Sequence, residues 1–222
     1  MYRRLSRRRI APLALVWLIA LAGCVGLQPP PDIRPQKPNV ASLDPQDWYI
    51  YYSAQMPSHP YADPEGVWSF EFPGIGAGGH VNYVQTPFNA TVPLHNVSMT
   101  FRVESKTPQY QVIDPGDIPP ATVHLFFEQQ HDDLSNPTGR WWASASQYNF
   151  GSQDNTTTTF VVPLTSDQWT DVNGHSDSQS FHAALQNIGW IGLTCGGQRF
   201  FGHGVALTRG SAKYVLIDLT IN

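Results

Sequence analysis

The stretch "NVSMTFRVES", residues 96–105, alternates without a break. Val97, Met99, Phe101 and Val103 fall on one side, and Ser98, Thr100, Arg102 and Glu104 on the other. Successive side chains of an extended chain point to opposite faces, so this segment reads as a strand with one buried and one wet face. One-sided strands of this kind belong to antiparallel sheets. Working outward, "VWSFEF" (67–72) sets Trp68, Phe70 and Phe72 on one side, and "HVNYVQT" (80–86) follows the glycine-rich "GIGAGG" (74–79). That glycine stretch lies between two strands, where a turn is the simplest reading, because a phosphate cradle needs a following helix.

"TVHLFFEQQ" (122–130) and "RWWASASQY" (140–148) read as a hairpin around "HDDLSNPTG" (131–139). "TTTFVVPL" (157–164), "GWIGLTC" (189–195) and "AKYVLIDLTI" (212–221) bring the set to about eight strands. In the last, alternation places Val215, Ile217, Leu219 and Ile221 on the core face. One short helix is expected in "SDSQSFHAALQNI" (176–188), with Phe181, Ala184, Leu185 and Ile188 at helical spacing and Ser or Asp as N-cap. A single helix cannot supply the crossovers of a parallel sheet. The expected fold is an all-β antiparallel sandwich in jelly-roll order over residues 40–222.

Charge is unevenly distributed. Five of the 13 basic residues precede residue 10, whereas none of the 17 acidic residues precedes Asp32. Without its first 23 residues the chain carries 8 basic against 17 acidic side chains, a net charge of −9. Such a domain has no electrostatic reason to bind nucleic acid or anionic head groups.

The N-terminus is organised as an address. The basic "MYRRLSRRR" is followed by an apolar run, Leu13 to Gly23, and then Cys24. The run is shorter than the roughly 20 residues of a membrane span, so it reads as an export signal over 1–23, with a short signal anchor as the alternative. Leu21-Ala22-Gly23-Cys24 resembles the lipobox of bacterial lipoproteins. The resemblance implies lipidation of Cys24 after cleavage before it, and a mature protein held to a membrane through its acyl chains. Each buried methylene contributes about 0.8 kcal/mol, so two or three chains anchor firmly. Val25 stands where some Gram-negative lipoproteins carry a retention aspartate, which favours the outer membrane of the cell envelope. Residues 24–39 contain five prolines between 29 and 38 and read as an extended tether. With Cys24 assigned to lipid, Cys195 has no disulfide partner. It reads as a small buried hydrophobe on a strand rather than a catalytic thiol.

No metal-ligand spacing, nucleophile elbow or nucleotide-binding loop occurs, so neither a metal nor a cofactor is expected. The hairpin carries the chemistry. With Val123, Leu125 and Phe127 facing in, His124, Phe126 and Glu128 share the other face. On the partner strand Trp141, Ala143 and Ala145 face in, leaving Arg140, Trp142, Ser144 and Ser146 beside them. The last strand adds Tyr214 and Asp218 on its own non-core face. Aromatic rings among planar polar groups suit a sugar, whose C–H face stacks on indole while its hydroxyls are hydrogen-bonded. The same pattern also stabilises ordinary sheets through cross-strand pairs.

Glu128 with Asp218 or Asp132 is a candidate carboxylate pair for glycoside cleavage. "HDD" (131–133) is a weak Ca²⁺ candidate or a solvated turn. Residues 189–221, with the loop "FFGHG", resemble the closing strands of galactose-binding-like jelly rolls, the fold of many carbohydrate-binding modules. The resemblance implies a non-catalytic glycan-binding lipoprotein, with His203 as a possible contact. The alternatives are a structural or protein-interaction lipoprotein and a polysaccharide hydrolase or lyase. Oligomeric state is left open.

Overall fold

The structure, a computed structural model, describes residues 41–90, 93–133, 135–144 and 148–222. The export signal, Cys24 and the tether lie outside the described residues, as do Ala145 and Ser146.

Twelve strands and one α-helix occur among the described residues. In chain order they are β1 (Tyr49–Tyr51), β2 (Tyr61–Ala62), β3 (Trp68–Glu71), β4 (Tyr83–Pro87), β5 (Asn96–Val112) and β6 (Thr122–Gln129). There follow β7 (Arg140–Ala143), β8 (Tyr148–Asn149), β9 (Thr157–Pro163), β10 (Trp169–Asp171), α1 (Ser178–Leu185), β11 (Ile188–Gly196) and β12 (Val205–Ile221). They build two antiparallel sheets. One has the order β1-β4-β11-β6-β7-β10 with β8 also on β6; the other is β2-β3-β12-β5-β9. The chain is a β-sandwich. The eight expected strands are all present in part, and the additional four (β1, β2, β8 and β10) span two or three residues each. Segments that short carry no readable period.

The core lies between the sheets. Val97, Met99, Phe101 and Val103 of β5 are fully buried, as their alternation requires. Trp68, Phe70 and Phe72 join them. From the other sheet come Val123, Leu125, Phe127 and Trp141. Asp177 caps α1 by accepting from the Ser180 N–H at 2.7 Å. Phe181 of the helix packs 5.2 Å from Trp141 and 5.8 Å from Phe127, covering one edge of the core.

One facing is reversed. The pairing of β12 with β5 shifts register between Leu216 and Asp218. An alternation extended backward across that irregularity changes sides. Leu219 and Ile221 do face the core, but N-terminal to the shift it is Tyr214 and Leu216 that do so. Tyr214 is therefore a core residue, not a surface one. Its ring stacks 5.3 Å from Phe70 and 5.1 Å from Phe101, and its hydroxyl donates to Met99 Sδ at 3.5 Å.

Candidate functional site

The outer face of the seven-stranded sheet gathers most of the sequence candidates. Register aligns Phe126 with Trp142 and Glu128 with Arg140 across β6 and β7. His124 aligns with Thr194 of β11, which aligns in turn with Tyr83 of β4. His124, Phe126, Glu128, Arg140 and Trp142 thus share a face. Tyr214 and Asp218 do not. Tyr214 is in the core, and Asp218 is exposed on the five-stranded sheet opposite Thr100, where it accepts from Thr220 Oγ1 at 3.1 Å.

That face is covered rather than open. His124 and Phe126 are fully buried, and Trp142, Glu128 and Arg140 retain only 5%, 7% and 9% exposure. Two segments cover it. Tyr51 and Tyr52 of β1 and its exit pack on Tyr83, Phe126 and Trp142. From the other side, Phe201 lies on His124, ring centroids 3.9 Å apart and 21° from parallel. The loop that carries Phe201 is held by Asp117, whose carboxylate accepts the N–H groups of Gly197, Arg199 and Phe200 at 2.6, 3.0 and 3.1 Å. His203 is bound to Asp114 at 2.9 Å through Nδ1 and stacks on Phe200. Gly202 fits against the Tyr83 hydroxyl with no room for a side chain, because a Cβ there would lie 2.8 Å from Oη.

Burial sets the protonation states. His124 donates from Nδ1 to the Ala143 carbonyl at 2.9 Å, with Nε2 3.1 Å from Thr122 Oγ1. Its pKa falls to about 4, chiefly through burial, against the opposing pull of that carbonyl and of Asp117. The imidazole is neutral. The Glu128 carboxyl is pushed up to about 8 by burial first and the Asp132 carboxylate second, against the Arg140 guanidinium. Arg140 Nε lies 2.9 Å from Asp132 Oδ2, an ion pair with both side chains buried. The Tyr83 phenol, with Arg140 as a hydrogen-bonding neighbour, is raised to about 12 by burial.

Between the sheet face and the 198–203 loop remains a pocket of about 360 Å³, with Tyr83, Arg140, Trp142, Thr170, Arg199 and Phe201 in its wall. The Trp142 indole is fixed by donating from Nε1 to Thr194 Oγ1 at 3.1 Å. The carboxylate pair Glu128–Asp218 is excluded, since the whole sandwich separates the two. Glu128 and Asp132 are electrostatic neighbours, but Asp132 is committed to Arg140. Asp133 accepts from the Ser135 N–H at 3.0 Å, so "HDD" serves its own turn and the neighbouring strand. Among the described residues no group of three His, Cys, Asp or Glu side chains is placed to hold a metal ion. Cys195 is buried on β11, where burial raises its thiol pKa well above the usual value.

Sequence reasoning missed Tyr51, Tyr52, Tyr83, Arg199 and Phe201. The run "DWYIYYS" (47–53) was the visible signal for the first two. Nothing local marks Asp117 as the post that holds the loop.

A scan against protein-family models gives no match, and a search of curated proteins gives none either. Fold and face together define a β-sandwich with an aromatic outer layer and a partly enclosed polar-aromatic pocket.

Proposed function

We propose that this chain is a lipid-anchored protein of the bacterial cell envelope whose β-sandwich binds carbohydrate without catalysis. The observation that carries the reading is the pocket, where the rings of Tyr83, Trp142 and Phe201 stand beside the guanidinium groups of Arg140 and Arg199. Rings offer a stacking wall for the apolar face of a sugar, and planar charged groups take its hydroxyls. A cleft of a few hundred Å³ with aromatic walls and few polar groups is the usual form of a small-ligand site. The lipobox of Leu21–Cys24 and the proline tether support membrane attachment, and Val25 favours the outer membrane. The likeness of residues 189–221 to galactose-binding-like jelly rolls supports the same reading at the level of fold.

A glycan array probed with the 40–222 fragment, which contains every strand of both sheets, tests it. Binding that is lost in Trp142→Ala supports the proposal. An array without a hit, together with one dominant protein recovered by cross-linking in cells, replaces it with a protein-interaction lipoprotein.

A further inference from the structure

We infer that the saccharide this pocket takes is acidic, with a sugar unit that carries a carboxylate. This rests on the carbohydrate reading and adds the chemical class to it. The ionisable cationic and acidic side chains in the pocket wall are Arg140, Arg199 and Asp171, with the His203 imidazole beside them. Asp171 is withdrawn: its side chain is 3% exposed, and Oδ1 accepts the N–H groups of Asn173 and His175 at 2.8 and 2.9 Å. Its Oδ2 faces His175 Nδ1 at 3.9 Å. Asp132 orients Arg140 and Asp114 orients His203, yet neither belongs to the wall.

Arg199 has no carboxylate within ion-pair distance among the described residues. Its guanidinium lies over the Phe200 ring, 5.2 Å from the centroid. No exposed carboxylate belongs to the wall itself: Asp132 is paired with Arg140, and the partly exposed Asp114 is bonded to His203. This leaves Arg199 as the exposed cation of the wall, in a domain that is otherwise strongly acidic. A neutral sugar offers hydroxyls that need both donors and acceptors, whereas a sugar carboxylate is acceptor only. Guanidinium groups match it in plane and in charge, and such charge-assisted pairs are the stronger hydrogen bonds. The aromatic wall supplies the stacking that a free carboxylate could not use.

The test is titration calorimetry on the full chain in detergent with three probes of equal length. They are an oligouronide, the same oligosaccharide with its carboxyls reduced to alcohols, and a sulfated neutral oligosaccharide. The oligouronide is expected to bind about tenfold more tightly than its reduced counterpart, and to weaken as salt is raised. Arg199→Gln is expected to abolish that preference with an unchanged melting temperature, because Arg199 is exposed and its bond to Asp117 runs through the backbone N–H. Equal binding of the reduced oligosaccharide overturns the acidic assignment and leaves the carbohydrate reading standing. Tighter binding of the sulfated probe overturns the choice of carboxylate. Oligouronide binding unaltered in Arg199→Gln overturns the location. If none of the probes binds and the glycan array is also empty, the carbohydrate reading itself falls.

Discussion

Phe201 stacks on His124 with ring centroids 3.9 Å apart, and this contact joins a loop near the C-terminus to the middle of the seven-stranded sheet. It turns what alternation alone reads as a wet face into a second, smaller apolar layer. It is also part of the burial that depresses the His124 pKa, and Phe201 forms one side of the pocket.

Removing the ring therefore has a spectroscopic consequence. In Phe201→Ala, water reaches His124 and its pKa is expected to rise from about 4 toward the ordinary 6.5, as followed by NMR titration. The half-buried ring contributes about 2 kcal/mol to stability, less than the roughly 3–5 kcal/mol of a fully buried aromatic truncation. An unmoved His124 titration would show that Phe201 is not what shields it.

Stability should vary with pH in two opposed ways. Glu128 has a folded pKa raised from 4.5 to about 8, so the native state holds the proton more tightly, and stability is lost as pH rises through that window. His124 is depressed from 6.5 to about 4, so its contribution is lost as pH falls through that window. The two effects oppose each other where the windows overlap. Above pH 6.5 only the Glu128 loss remains, and the melting temperature is expected to decline toward pH 8. Glu128→Gln should flatten that alkaline decline and, between pH 4.5 and 6.5, steepen the acid loss, because the His124 effect is then no longer opposed. Thermal melts across the pH range check both.

The ion pair of Asp132 with Arg140 is buried on both sides. Asp132→Asn removes the ion-pair partner of a largely buried guanidinium, which costs about 3 kcal/mol, and it also lowers the Glu128 pKa by removing the carboxylate that raises it. Denaturant unfolding of the single variant and of Asp132→Asn combined with Arg140→Met measures it. The double variant is expected to recover much of the loss, since neither side chain then carries a stranded charge.

Attachment to the membrane has its own readout. Cys24→Ala is expected to move the protein from the membrane fraction to the soluble fraction. Mass spectrometry of the wild-type N-terminus should find Cys24 first and acylated. A variant that stays with the membrane would return the segment to a signal anchor.

Much of the architecture was readable from residues alone. The alternation of Val97 to Val103, the ring triplet Trp68, Phe70 and Phe72, and the helical spacing of Phe181 and Ala184 all report local geometry, because side-chain direction repeats every two or 3.6 residues. The hairpin that brings Glu128 beside Arg140 was legible for the same reason. Tyr214 was misplaced because a register shift at residues 216–218 depends on the partner strand β5, which local pattern does not record. Strands of two or three residues, such as β1 and β10, were invisible because they show less than one clear period.

The chain by itself thus determined the sheet-forming segments, the facing of most strands and the acidic balance of the domain. Only the tertiary structure decided that the His124–Trp142 face is covered, that Asp218 is remote from Glu128, and that Arg199 and Phe201 complete a pocket with Arg140. The reason is physical. Alternation specifies which side of a strand a residue occupies, but whether that side meets water depends on what packs over it. Here that is a loop held by Asp117, some 80 residues away in sequence.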